Sequence, residues 1–117
     1  MYTVIYFYRV KQEKVGSFIG INNRASEIYM SYGALEEKTY QAENLHGKNE
    51  FKGLLDVIQK EENEDIFLGQ SVFRNKSHYD DVMKQVNDNP EIKQLFNEMS
   101  DTIDLSKVIT ATFSTDD

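Results

Sequence analysis

Nine residues near the start of the chain, Tyr2-Thr3-Val4-Ile5-Tyr6-Phe7-Tyr8-Arg9-Val10, restrict the fold more than any other stretch. In an extended chain, alternate residues face opposite sides. One side then carries Tyr2, Val4, Tyr6, Tyr8 and Val10; the other carries Thr3, Ile5, Phe7 and Arg9. Both sides are apolar or aromatic at their centres. A strand of this kind belongs inside a sheet and is covered on both faces. The rest of the chain has to supply the two covers.

The first cover is a helix. Val15, Phe18, Asn22, Ala25, Tyr29 and Tyr32 recur three and four apart, and Ile21 and Ile28 widen the stripe. Gly33 stands where a left-handed cap ends such a helix. Ala34 to Glu43 reads as a second strand, polar enough for a sheet edge. After a loop at Asn44–Asn49, the spacing of Phe51, Leu54, Leu55 and Ile58 predicts a short amphipathic helix. Glu61 to Asp65 predicts a solvated acidic turn.

Ile66 to Arg74 is again apolar on both faces and predicts a second central strand beside the first. Asn75 or Ser77 caps the next helix, with Tyr79, Val82, Met83 and Val86 as its buried stripe. Asn89-Pro90 breaks that helix and restarts it, because proline is accepted at a first helical position. Ile92, Leu95, Phe96 and Met99 continue the apolar pattern. Lys107 to Ser114 reads as the fourth strand, and Thr115, Asp116 and Asp117 form a polar tail.

With right-handed crossovers this order gives an α+β, ferredoxin-like βαββαβ domain over residues 1–117. Its four-stranded antiparallel sheet has strands one and three at the centre and both helices on one face. The other face stays bare in a monomer. Residues such as Ile5 or Tyr6, with Phe67 or Leu68, would make a patch that soluble monomers rarely expose. A homodimer packed through the sheet faces is the expected remedy. The pattern leaves open which side of the first strand meets the helices, with a slight preference for Tyr6 and Tyr8.

Charge and composition exclude several functions. The net charge is −7, from thirteen basic and twenty acidic residues without a basic stripe, which is wrong for nucleic acid or an anionic membrane. No apolar run approaches the roughly 20 residues of a spanning helix. The absence of cysteine removes disulfides, thiolate metal sites, iron–sulfur clusters and cysteine nucleophiles. No secretory leader is recognisable, so the cytoplasm is the expected compartment. Nothing in the chain calls for a cofactor or a metal.

Six residues are candidates for a pocket between sheet and helices. Asn22 falls inside an apolar stripe, where a buried amide needs a partner, either a ligand or backbone and water. Tyr6, Tyr8 and Tyr29 either line a flat cavity for a ring-shaped ligand or simply pack the core. Gln70 is a polar residue within a central strand. His78 can serve as a general base near neutral pH, although its place at a helix start favours the surface. His46 lies in a polar loop, and the two histidines form no metal motif.

Tyr32-Gly33-Ala34-Leu35, Glu61-Glu62-Asn63-Glu64 and Asp88-Asn89-Pro90-Glu91-Ile92-Lys93 resemble stretches of the YbaA-like family of bacterial proteins of unknown function. The resemblance spans nearly the whole chain and implies a dimeric α+β barrel. In the family pattern an Asp-Gly pair falls where this chain has Val4 and Ile5, and a Trp where it has Gln70. Relatives of that superfamily include cofactor-independent monooxygenases. Two readings follow: a small-molecule-binding barrel for an aromatic or apolar ligand, with or without monooxygenase-like chemistry, and a non-catalytic dimerisation or ligand-sensing module. Neither decides whether the protein is an enzyme.

Overall fold

The computed structural model describes residues 1–115. Its elements are β1 (Tyr2–Lys11), α1 (Val15–Ser31), β2 (Glu36–Gln41), β3 (Glu64–Phe73), α2 (Lys76–Asn87), α3 (Pro90–Thr102) and β4 (Ile109–Ser114). The strands form one antiparallel sheet in the order β2-β3-β1-β4. This is the ferredoxin-like α+β arrangement. The two strands that are apolar on both sides, β1 and β3, are the central pair, in register from Tyr2 opposite Phe73 to Lys11 opposite Glu64.

Helix boundaries follow local chemistry. α1 ends at Gly33, whose φ of 110° is closed to residues with a side chain except at a cost. The Asn75 side chain accepts the His78 N–H and caps α2, and the Asn89 side chain accepts the Glu91 N–H to start α3 behind Pro90.

Burial decides the orientation of β1. Val4 and Val10 are fully covered, together with Phe67 and Phe73 of β3, Phe18 of α1, and Val82 and Val86 of α2. Tyr6 and Tyr8 therefore face the helices. The core has two lobes, one around Val4, Phe73, Val82 and Val86, the other around Val10, Phe18 and Phe67. Along the same face of β3 the residues run Phe67, Gly69, Ser71, Phe73, large at the ends and small between. The gap between the lobes is written into that alternation.

The opposite sheet face is covered at one end, where Glu64 and Ile66 are buried and Arg9 is nearly so; the rest of it is apolar and only partly covered among the described residues. Ile5, Phe7, Leu68 and Val72 are half-buried there, and the register sets Ile109 beside Phe7 and Tyr40 beside Leu68. Ile109, Phe113 and Tyr40 are exposed.

Three expectations need correction. The helix over Phe51–Ile58 shrinks to a single 3₁₀ turn at Leu54–Asp56, leaving Phe51 72% and Val57 71% exposed. A Cβ on Gly53 would collide with the Leu45 carbonyl and the Gly47 amide, so the backbone crosses itself here and cannot run on as a helix. The acidic turn is not wholly solvated: Glu64 is buried, opens β3 and pairs with Arg9 at 3.0 Å. His78 is also buried: its ring packs inward against Phe73, and Nδ1 accepts the Arg74 N–H at 3.0 Å. Of the polar tail, Asp116 and Asp117 lie outside the described residues.

Candidate functional site

A cavity of about 470 Å³ fills the gap between the two core lobes, of the size ligand sites have. Its floor is the helix-facing side of the sheet: Tyr6 and Tyr8 of β1, Gly69 and Ser71 of β3, and Thr39 and Glu37 of β2. α1 contributes Asn22, Ala25, Ser26 and Tyr29 as a roof, and α3 closes one side with Ile92, Leu95, Phe96 and Met99. Phe96 borders the cavity yet is 61% exposed, which marks the mouth.

Side-chain bonds fix these walls. The Arg24 guanidinium of α1 donates twice to the Glu91 carboxylate of α3, at 2.6 and 2.7 Å. Asn89 donates to the Tyr32 hydroxyl at 3.0 Å. Across the roof, Asn22 donates to the Thr39 hydroxyl and ties α1 to β2.

Glu37 is the chemically unusual member. Register places it opposite Ser71, on the helix side of β2. Burial pushes its carboxyl from the ordinary 4.5 up to about 7, and the Ser71 and Ser26 hydroxyls offset only part of that. Its Oε2 is buried without a hydrogen-bond partner among the described residues. A buried acceptor left unpaired is costly and uncommon, and a perturbed acid in a cleft is a frequent mark of function.

Three tyrosines surround this carboxyl. Burial raises the proton affinity of the Tyr6 hydroxyl, to about 12, and of Tyr8 and Tyr29 further; the Glu37 charge adds to each. All three stay protonated at neutral pH and can act as donors. No hydrogen bond engages their hydroxyls among the described residues. Tyr6 and Tyr8 lie with ring centroids 5.8 Å apart and planes 20° from parallel, a flat aromatic surface along the floor.

The structure thus brings together four of the six candidates named from sequence: Tyr6, Tyr8, Asn22 and Tyr29. Gln70 touches the cavity's edge, but its side-chain amide donates to Glu36 at 3.2 Å, on the bare face of the sheet. His78 does not line the cavity; its ring is committed to the Arg74 amide and Phe73. Sequence reasoning missed Glu37 altogether. Its only signal was parity: within β2, Glu37 and Thr39 share the side opposite to Glu36 and Lys38.

Among the described residues no three of His, Asp and Glu gather as a metal would require, and no helix is long and apolar enough to cross a membrane.

Solved structures with the same fold exist at low identity. A provisional antibiotic biosynthesis monooxygenase from Deinococcus radiodurans superposes with a TM-score of 0.63 at 11% identity, covering 100% of this chain and 94% of that one. An uncharacterized NIPSNAP domain protein from Burkholderia xenovorans gives 0.59 at 11%, covering 98% and 94%. A conserved protein from Methanosarcina mazei gives 0.60 at 15%, covering 97% and 91%. At such identities the likeness carries the fold and no activity. No curated protein sequence matches the chain. One family model does, over residues 1–104, and its description is "Protein of unknown function (DUF1428)".

Proposed function

The chain belongs to the DUF1428 family of proteins of unknown function, and from that premise we propose that it is a dimeric binding protein for a small ring-shaped molecule. The observation that carries this is the cavity itself. A space of about 470 Å³ between packed core lobes, floored by the near-parallel rings of Tyr6 and Tyr8, suits a flat apolar ligand. Asn22, Thr39 and Glu37 supply polar groups at its edge, which is the usual composition of a small-molecule site.

The bare sheet face supports the dimer. Ile5, Phe7, Leu68, Ile109 and Phe113 share one apolar surface, and a second copy packed through the same face buries it symmetrically. Likeness to YbaA-like bacterial proteins and a cytoplasmic setting belong to this same reading. A non-catalytic dimerisation module would need no chamber; the open space between the lobes favours binding over that alternative.

Thermal-shift screening tests the proposal, with haem, hydroxylated aromatics and aromatic acids as probes. The expected result is a rise in melting temperature with at least one ring compound. A flat response to all of them, in a protein whose cavity is intact, overturns it.

A further inference from the structure

Building on the chamber reading above, we infer that Glu37 selects the ligand class: an uncharged ring compound bearing a weakly acidic hydroxyl, which donates to Oε2 and passes its proton there. Glu37 lines the chamber, and its Oε2 is buried and lacks a donor among the described residues, so a turn of the carboxyl is what presents it to a ligand. A ligand hydroxyl satisfies it; a bare hydrocarbon ring leaves it unpaired at full desolvation cost. The surrounding walls are apolar or aromatic, so the rest of the molecule need not be polar.

Charge on the ligand is selected against in both signs. Lys38 is the one basic residue on the cavity's border among the described residues, and its ammonium is 3.4 Å from Glu36, which shares its side of the sheet, opposite to Glu37. A carboxylate or phosphate ligand would therefore meet Glu37 without a cation to offset it. An ammonium group would bury three donors against one carboxylate and pay a larger desolvation cost than a hydroxyl.

The proton step balances within the site. The ligand O–H bond breaks, the proton joins Oε2, and the electron pair stays on the ligand oxygen as an oxyanion. The hydroxyls of Tyr6, Tyr8 and Tyr29, without a hydrogen bond among the described residues, are donors available to that oxyanion. A carboxyl raised to about 7 is matched to proton transfer at neutral pH, where an ordinary glutamate is too weak a base.

The test is a set of matched binding titrations on the full chain at pH 7 with 4-cyanophenol, which is mostly un-ionised at that pH, benzonitrile, 4-cyanobenzoate and 4-cyanobenzylamine. We expect 4-cyanophenol to bind about tenfold or more tightly than benzonitrile, the increment of one satisfied hydrogen bond, and to outcompete the charged pair. Glu37→Gln is expected to erase most of that preference while melting no lower than wild type. Benzonitrile binding as tightly as 4-cyanophenol, either charged probe binding best, or an undiminished preference in Glu37→Gln overturns the assignment to Glu37 and leaves the chamber standing. Binding of none of the four overturns the chamber as well. The benzonitrile comparison needs no variant, so it holds even if Glu37→Gln fails to fold.

Discussion

Gly69 on β3 keeps clear the space that the ring of Tyr8 leans over: a Cβ at position 69 would stand 3.0 Å from Tyr8 Cε2. The glycine is a packing requirement of the cavity floor, since its backbone lies in an ordinary strand. Gly69→Ala is expected to push the Tyr8 ring into the cavity and cost about 1 kcal/mol. Gly69→Val is expected to cost about 1–3 kcal/mol by the same overpacking and to abolish ring binding. Denaturant unfolding and ligand titration read the two effects separately. Undiminished ligand binding by Gly69→Val contradicts the placement of the site.

Glu37 gives the pH dependence of stability a defined sign. Its folded carboxyl holds its proton up to about pH 7, whereas the unfolded chain releases it near 4.5. Between those values the native state binds the extra proton, so this group's contribution to stability falls as pH rises and is level above 7. The groups facing it are Ser26, Ser71 and the tyrosines 6, 8 and 29, none of which titrates in that window. Glu37→Gln is expected to remove the slope and to be more stable than wild type by about 1–3 kcal/mol at pH 8. Parallel stability curves for the two proteins from pH 4.5 to 7 would contradict it.

Arg9 and Glu64 behave in the opposite sense. Burial works against the Glu64 charge, but hydrogen bonds from the Glu61 amide and the Arg9 side chain outweigh it and hold the carboxyl below its usual range. Its stabilisation is present at neutral pH and lost as pH falls through that lowered value. Arg9 and Glu64 side chains are only 12% and 8% exposed, so Arg9→Met leaves a nearly buried charge unpaired. We expect a loss of about 3 kcal/mol, partly recovered in Arg9→Met/Glu64→Gln. Equilibrium unfolding of both variants is the check.

At Gly33 the cost of substitution lies in the backbone. A Cβ there would meet His78 Nε2 at 3.5 Å, an ordinary contact, but φ is 110°. Gly33→Ala is expected to lose about 1–3 kcal/mol. A melting temperature equal to that of wild type would show that α1 ends differently in solution.

For the bare sheet face, wild type is expected to sediment as a dimer by analytical ultracentrifugation at micromolar concentration and Phe7→Asp as a monomer. A monomeric wild type defeats the dimer outright.

The sheet order was legible because β1 and β3 are apolar on both sides, and only the two central strands of this topology are so covered. The location of the cavity was half legible. Tyr6, Tyr8, Asn22 and Tyr29 stood out as aromatic or misplaced polar residues, whereas the small pair Gly69 and Ser71 carries meaning only once Phe67 and Phe73 are known to flank it in the core. Glu37 was invisible for a physical reason. A charged residue on a polar edge strand is ordinary, and nothing local distinguishes Glu37 from Glu36 until the register sets one against Ser71 and the other against Val72. His78 shows the converse: a capping position fixes where the backbone goes, not which way the ring turns.

Glu37 sits on an edge strand. β2 is six residues long and ladders to β3 alone, while β1 and β3 each have neighbours on both sides. Strands at such a margin open more often than the centre of a sheet, without the molecule unfolding. When β2 frays, the carboxyl meets water and gives up its proton at neutral pH; when it closes, the proton is taken back. Amide exchange along residues 36–41 is therefore expected to outpace that of β1 and to quicken as the pH approaches 7 beyond the intrinsic chemical rate. Closing the strand and loading the acid become one event, and whatever seals β2 also sets the charge inside.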